Sequence, residues 1–212
     1  MTVDLDFAVD GAEIARNAAA PLLLFKLRVS NRTPSTPVRN VVLQAQIQIA
    51  ATHRAYSASE RERLSELYGS GDDWQRALRP LLWTTAGILL PPFEEGCAVD
   101  LPVPCSSDFT LAATKYFFGI EAGEAVLSFL FSGSIFFATP EGDLQIAQVP
   151  HHKEASCHLP VGLWQDLMEH HYQDRVWLDI GRASFDALYR YKRQHRLASW
   201  DETLHRLLEQ RP

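Results

Sequence analysis

The chain has 212 residues, of which 46% are hydrophobic and 22% charged, enough apolar material to bury about 70% of its extended surface in a conventional core. Its 26 acidic residues exceed its 20 basic ones, for a formal charge of -6. That balance favours solubility and argues against nucleic acid or an anionic membrane as the partner.

At the N-terminus, Asp4 and Asp6 stand where a secretory leader would carry Lys or Arg, so export is not expected. Val3, Leu5, Phe7 and Val9 alternate with polar or small residues and predict a half-buried strand, ended by Asp10-Gly11. The apolar run 18–25 contains Pro21 and is far shorter than the roughly 20 residues of a membrane span. No membrane insertion is therefore expected, and the location predicted is cytoplasmic. Leu23, Phe25, Leu27 and Val29 form a second strand pattern, followed by a turn-rich segment over 30–37.

The clearest period-2 pattern runs from Arg39 to Ala51. Val41, Leu43, Ala45, Ile47, Ile49 and Ala51 face a core, while Gln44, Gln46 and Gln48 give the other face an uncharged polar surface. Ser57-Ala58-Ser59-Glu60 has the spacing of a capping box and opens a short surface helix that Gly69-Ser70-Gly71 breaks. Asp72 and Asp73 offer a second cap ahead of Trp74, and Pro80 keeps that helix brief. Strand character returns over 83–90, and weakly over 99–103, where Pro102 and Pro104 demand an edge or a crossover. The apolar stretches 109–120 and 126–137 both read as central strands, the second forming a hairpin with 144–149 across the turn at 140–143. From Pro160 the period becomes helical, with helices over 161–171 and 182–195 and a last one opened by the capping spacing Ser199-Trp200-Asp201-Glu202.

Strands first and helices last predict a mainly β protein: an antiparallel β-sandwich, immunoglobulin-like or a related Greek key, over 1–159, with a short helical insertion near 57–80 and a packed C-terminal helical segment over 160–212. Cys97, Cys105 and Cys157 are an odd number without paired spacing, which fits reduced, buried thiols.

Signatures of catalysis are missing. There is no Gly-x-Ser-x-Gly, Ser132-Gly133-Ser134 falls within a strand, Gly69-Ser70-Gly71 lacks the Lys of a phosphate loop, and Glu94-Glu95 reads as solvated loop charge. No enzymatic activity and no cofactor are expected. One metal-handling alternative rests on His151, His152, Cys157 and His158, donors that suit zinc or nickel, although neighbours on an extended segment point to opposite faces. Without a metal this segment is a polar loop before the first C-terminal helix. His170 and His171 lie where a helix C-terminus favours imidazolium. The run 190–196, with Arg190, Lys192 and Arg193 between tyrosines, is either a solvated helix face or a dock for an acidic partner. Lys115 sits alone in an apolar stretch and must reach water or an acceptor.

Several strings carry a family resemblance: Leu81-Leu82-Trp83-Thr84, Val99-Asp100-Leu101-Pro102-Val103-Pro104-Cys105, Ala113-Thr114-Lys115-Tyr116-Phe117, Leu130-Phe131-Ser132-Gly133, Leu188-Tyr189-Arg190-Tyr191-Lys192 and Trp200-Asp201-Glu202-Thr203. With them the chain resembles an uncharacterised bacterial family often encoded near actinobacterial-type nickel-iron hydrogenase genes. The resemblance implies an accessory or assembly factor that works by protein contact, with a hydrogenase or an associated electron-transfer protein as partner. Partner contact would fall to Gln44, Gln46 and Gln48 or to Arg190, Lys192 and Arg193. A structural subunit, seen as a homo-oligomer, is the remaining alternative.

Overall fold

The computed structural model describes residues 3–71, 74–108, 111–139 and 142–209. Asp72, Asp73, Phe109, Pro140 and Glu141, which figure in the expectations above, lie outside the described residues. The chain divides into two compact units, Met1–Val176 and Trp177–Pro212.

The first unit is built on β3 (Val38–Ile49), whose alternation is realised in full: Val41, Leu43, Ala45, Ile47 and Ile49 are all at most 1% exposed. Beside it lie β4 (Leu81–Leu90) on one edge and the long β6 (Glu124–Ala138) on the other, both antiparallel. The far side of β6 is shared by two strands: β8 (Glu154–Pro160) pairs its first half and β7 (Leu144–Gln148) its second. A three-stranded sheet, in the order β1 (Leu5–Ile14), β2 (Leu22–Asn31), β5 (Gly96–Pro104), completes the sandwich. The inner faces meet through large rings, with Phe7 stacked on Phe131 at 4.5 Å and Phe25 edge-on to Phe129 at 5.1 Å. Pro102 and Pro104 are accommodated because β5 is an edge strand and needs no outward donor.

Three local expectations are corrected. Asp10-Gly11 does not end the first strand; the register shifts between Val9 and Ala12, and Gly11, at φ +146°, absorbs the bulge so that β1 continues to Ile14. Residues 154–160 are a strand rather than a polar loop, with Cys157 and Leu159 turned inward and His158 outward. Most consequentially, the apolar stretch around 109–120 is not a central strand but contains α4 (Ala112–Gly119). Ala113, Tyr116, Phe117 and Ile120 share one helical face and are buried, while Lys115 on the other side extends to the Glu66 carboxylate.

Helix α4 closes one end of the sandwich together with the segment after β3. There α1 (Ala58–Arg63) begins with a complete capping box, Ser57 Oγ accepting from Glu60 N and Glu60 accepting from Ser57 N, and α2 (Ser65–Tyr68) and α3 (Trp74–Ala77) follow. The plug is aromatic: Tyr56, Tyr68 and Trp74 meet edge to face, Tyr56 Oη lies 2.8 Å from Tyr116 Oη, and Phe117 stacks on Trp164 at 5.2 Å. Trp164 belongs to α5 (Val161–Tyr172), which buries Val161, Leu167 and Met168 as well. That burial ties α5 to the sheets, and the first unit runs on through Val176.

The second unit is a helix pair, α6 (Arg182–Gln194) and α7 (Trp200–Glu209). A Schellman motif ends α6: Leu197 N donates to Lys192 O (3.1 Å) and Arg196 N to Arg193 O (3.2 Å), with Arg196 at φ +54°. Lys192 Nζ then donates to Leu197 O (2.6 Å) and Ala198 O (2.9 Å), and Ser199 Oγ accepts from Glu202 N to start α7. Because a side chain at the left-handed position is strained, Arg196→Gly is expected to stabilise the pair by about 1 kcal/mol. Amide exchange in α6 and α7 should slow by roughly fivefold, the factor that energy implies.

Candidate functional site

The two sheets differ on their outer faces. On the three-stranded sheet every strand contributes charge, and the charges pair: Lys26 with Glu13 (2.6 Å) and Asp100 (2.8 Å), Arg28 with Asp10 (2.8 Å), and Arg32 with Asp6. Lys153 adds contacts to Asp4 (2.7 Å) and Asp6 (3.0 Å) at the seam between β1 and β8. These pairs hold the Asp6 and Asp10 carboxyls below the usual carboxylate range, mainly through the hydrogen bonds from Lys153 and Arg28 respectively. A face whose charges are matched in this way is at home in water.

Four strands of the five-stranded sheet present the opposite chemistry, while the fifth, β8, sets the exposed Glu154 beside Leu130. No Asp, Glu, Lys or Arg occurs in β4, in β3 from Asn40 onward, in β6 after Glu124, or in β7. Register places the outward residues in rows across the strands: Leu89, Val42, Ser134 and Gln148; then Gly87, Gln44 and Ser132; then Thr85, Gln46 and Leu130; then Leu82, Gln48 and Ser128. Leu144 and Ile146 extend the face on β7. Leu82, Leu89, Leu144 and Ile146 are each about 60% exposed and Val42 is half exposed, so open aliphatic side chains on β4, β3 and β7 flank a carboxamide ridge. Gln44 and Gln46 are exposed and Gln48 is half-buried. Small neighbours at Gly87 and Ser132 leave the Gln44 carboxamide clear on both sides, able to donate and accept at once. Across β4, β3, β6 and β7 this face thus exposes aliphatic and uncharged polar side chains, where the other sheet exposes ion pairs.

The other candidate residues are distributed differently. His151 and His152 sit on the exposed turn between β7 and β8, their rings 6.0 Å apart. Cys157 faces the core, where burial pushes its thiol up to about 11, a poor state for a metal-binding thiolate. His158, one residue on, faces outward with Nδ1 3.0 Å from Glu124 Oε2. Strand alternation thus separates the very donors that the metal alternative needs together, and among the described residues no group of three His, Cys, Asp or Glu is placed to hold a metal ion. In the second unit, Lys192 is committed to the loop carbonyls, Arg193 lies 5.9 Å over the Tyr189 ring, and Arg190 is exposed. His170 Nε2 lies 3.2 Å from Arg16 O, and burial lowers the pKa of His171. No described helix is long and apolar enough to cross a membrane.

No binding motif marks the aliphatic members of the patch. Their signal is the absence of charge from 81–90 and 125–138, which becomes a surface only when register sets those strands beside the glutamine row. Among known proteins, a family of unknown function (DUF6084) matches residues 1–212, and the chain belongs to that family. No curated protein and no solved structure matches it.

Proposed function

We propose that this member of the DUF6084 family is a non-catalytic, cytoplasmic accessory or assembly factor that docks a protein partner on the outer face of its five-stranded sheet. The observation that carries this reading is the charge-free patch of Val42, Leu82, Leu89, Leu144 and Ile146 around Gln44 and Gln46, set against the ion-paired outer face of the other sheet. Aliphatic side chains around uncharged hydrogen-bonding groups that cost little to desolvate are the composition of an interface rather than of a solvated surface. The resemblance to chains encoded near nickel-iron hydrogenase genes directs the search for the partner to a hydrogenase and its electron-transfer proteins.

The test is co-purification of the tagged chain with hydrogenase subunits and their electron-transfer partners from a host that carries them. Capture is expected for the natural sequence and should fall roughly tenfold or more for Val42→Glu combined with Gln46→Glu, since charge buried at an interface centre is costly. Asp100→Asn, on the opposite outer face, should capture as well as the natural chain. Equal capture by the Val42/Gln46 variant, with an unchanged circular dichroism spectrum, would remove the sheet face from the interaction.

A further inference from the structure

The geometry points to a second contact surface, independent of the sheet face: the α6–α7 pair, which we propose joins two copies of this chain about a twofold axis, α6 of each copy lying against α7 of the other. Three observations on the second unit converge on this. Phe185, Tyr189, Trp200, Leu204 and Leu208 are all 38% to 60% exposed, and the rings are contiguous, with Phe185 stacked on Tyr189 (6.1 Å) and Trp200 within 5.5 Å of Phe185. Helical period sets Phe185 and Tyr189 on one strip of α6 and Trp200, Leu204 and Leu208 on one strip of α7. Meanwhile the unit has almost no interior of its own: among its described residues only Leu197 and Thr203 are buried. Units shorter than about 40 residues usually depend on a disulfide, a metal or association for their core, and this one contains neither cysteine nor, among its described residues, a metal-ligand group.

Charge selects a second copy as the occupant. Helix α6 carries Arg182, Arg190, Lys192 and Arg193 against a single carboxylate, Asp186. Helix α7 carries Asp201, Glu202 and Glu209 against a single arginine, Arg206. A basic helix beside an acidic one, with an apolar strip on each, is self-complementary: a twofold rotation brings the basic helix of one copy to the acidic helix of the other and repeats the match on the opposite side of the axis. Four helices then enclose the five apolar side chains from each copy in a bundle, the layout that such strips favour.

Sedimentation equilibrium of the full chain, over about a hundredfold range of concentration, is expected to show a monomer–dimer equilibrium. Phe185→Glu and Leu204→Glu should each raise the dimer Kd roughly tenfold or more, whereas Val42→Glu on the sheet face should leave it unchanged. Reversing the charge of α6 alone, through Arg190→Glu with Arg193→Glu, should weaken the dimer. Adding Asp201→Lys and Glu209→Lys to that same chain should restore it, because exchanging the signs of both helices preserves the match. This restoration also decides the matter if Phe185→Glu or Leu204→Glu loses helical signal. A monomer at every concentration, which would leave the strip to an acidic partner or to the chain's own surface, overturns the proposal, as does a dimer indifferent to Phe185→Glu and Leu204→Glu.

Discussion

Gly133→Ala is expected to destabilise the first unit by roughly 2–4 kcal/mol, seen as a lower urea midpoint at an unchanged slope. Gly133 lies in β6 opposite Leu43, at the point where the partner of β6 changes from β8 to β7. A Cβ there would stand 2.0 Å from Val42 O and 3.1 Å from Leu43 Cα, and the residue's φ of +146° is one that side chains rarely adopt. Neither neighbour can yield: Val42 and Leu43 belong to β3, which is paired along its length to β4 on one side and to β6 on the other. Gly87→Ala, across β3, is the matched control. Its Cβ would meet Leu43 O at 3.7 Å, an ordinary contact, so the change should be neutral or gain up to about 1 kcal/mol from reduced chain entropy. If both alanines cost the same, crowding against β3 is not the cause.

The two glycines also show how far sequence carries this fold. The inward face of β3 is legible because period 2 over a full strand has one meaning when every second residue is aliphatic. Neither glycine could be distinguished from the other in the same way, since what separates them is register against one shared strand. Helix α4 is not legible as a helix because a short apolar run is equally consistent with a buried strand; the positions 113, 116, 117 and 120 follow a helical spacing, but Phe118 and Leu111 beside them blur it. In β8 Ala155, Cys157 and Leu159 alternate with Ser156 and His158, a strand signal carried by the same residue types that also suit metal ligation. For the candidate site, the glutamines were visible as a polar row. Val42, Leu82, Leu89, Leu144 and Ile146 come from strands up to about 100 residues apart in sequence, and only sheet order gathers them.

The largest single loss is expected on removing one member of the Arg54–Glu60 pair. Both side chains are nearly enclosed, at 13% and 6% exposure, with Arg54 Nη2 2.7 Å from Glu60 Oε1. The carboxylate is saturated: Ser57 N (2.9 Å) and Glu121 N (3.0 Å) donate to it, which locks the cap of α1 to the residues following α4. Arg54 in turn donates to Ala122 O and lies 5.1 Å over the Tyr56 ring. Burial alone would raise the Glu60 carboxyl, but the backbone donors Ser57 and Glu121, with Arg54, more than offset it and hold the group below its ordinary value of 4.5. Arg54→Met leaves a buried anion with only the backbone donors and should cost about 3–5 kcal/mol. Combining it with Glu60→Gln should recover part of that loss, because the neutral amide oxygen still accepts from one backbone N–H while no uncompensated charge remains. The pH dependence has a definite sign. A carboxyl depressed in the folded state contributes its stability in full above the unfolded value of 4.5, and that contribution drains away as pH falls through the lower folded value. Glu60→Gln should therefore flatten the acid limb of the stability–pH profile below 4.5 while lowering stability at neutral pH. An acid limb identical to that of the natural chain would show that other carboxylates, such as the Asp6 and Asp10 pairs on the three-stranded sheet, set the acid sensitivity.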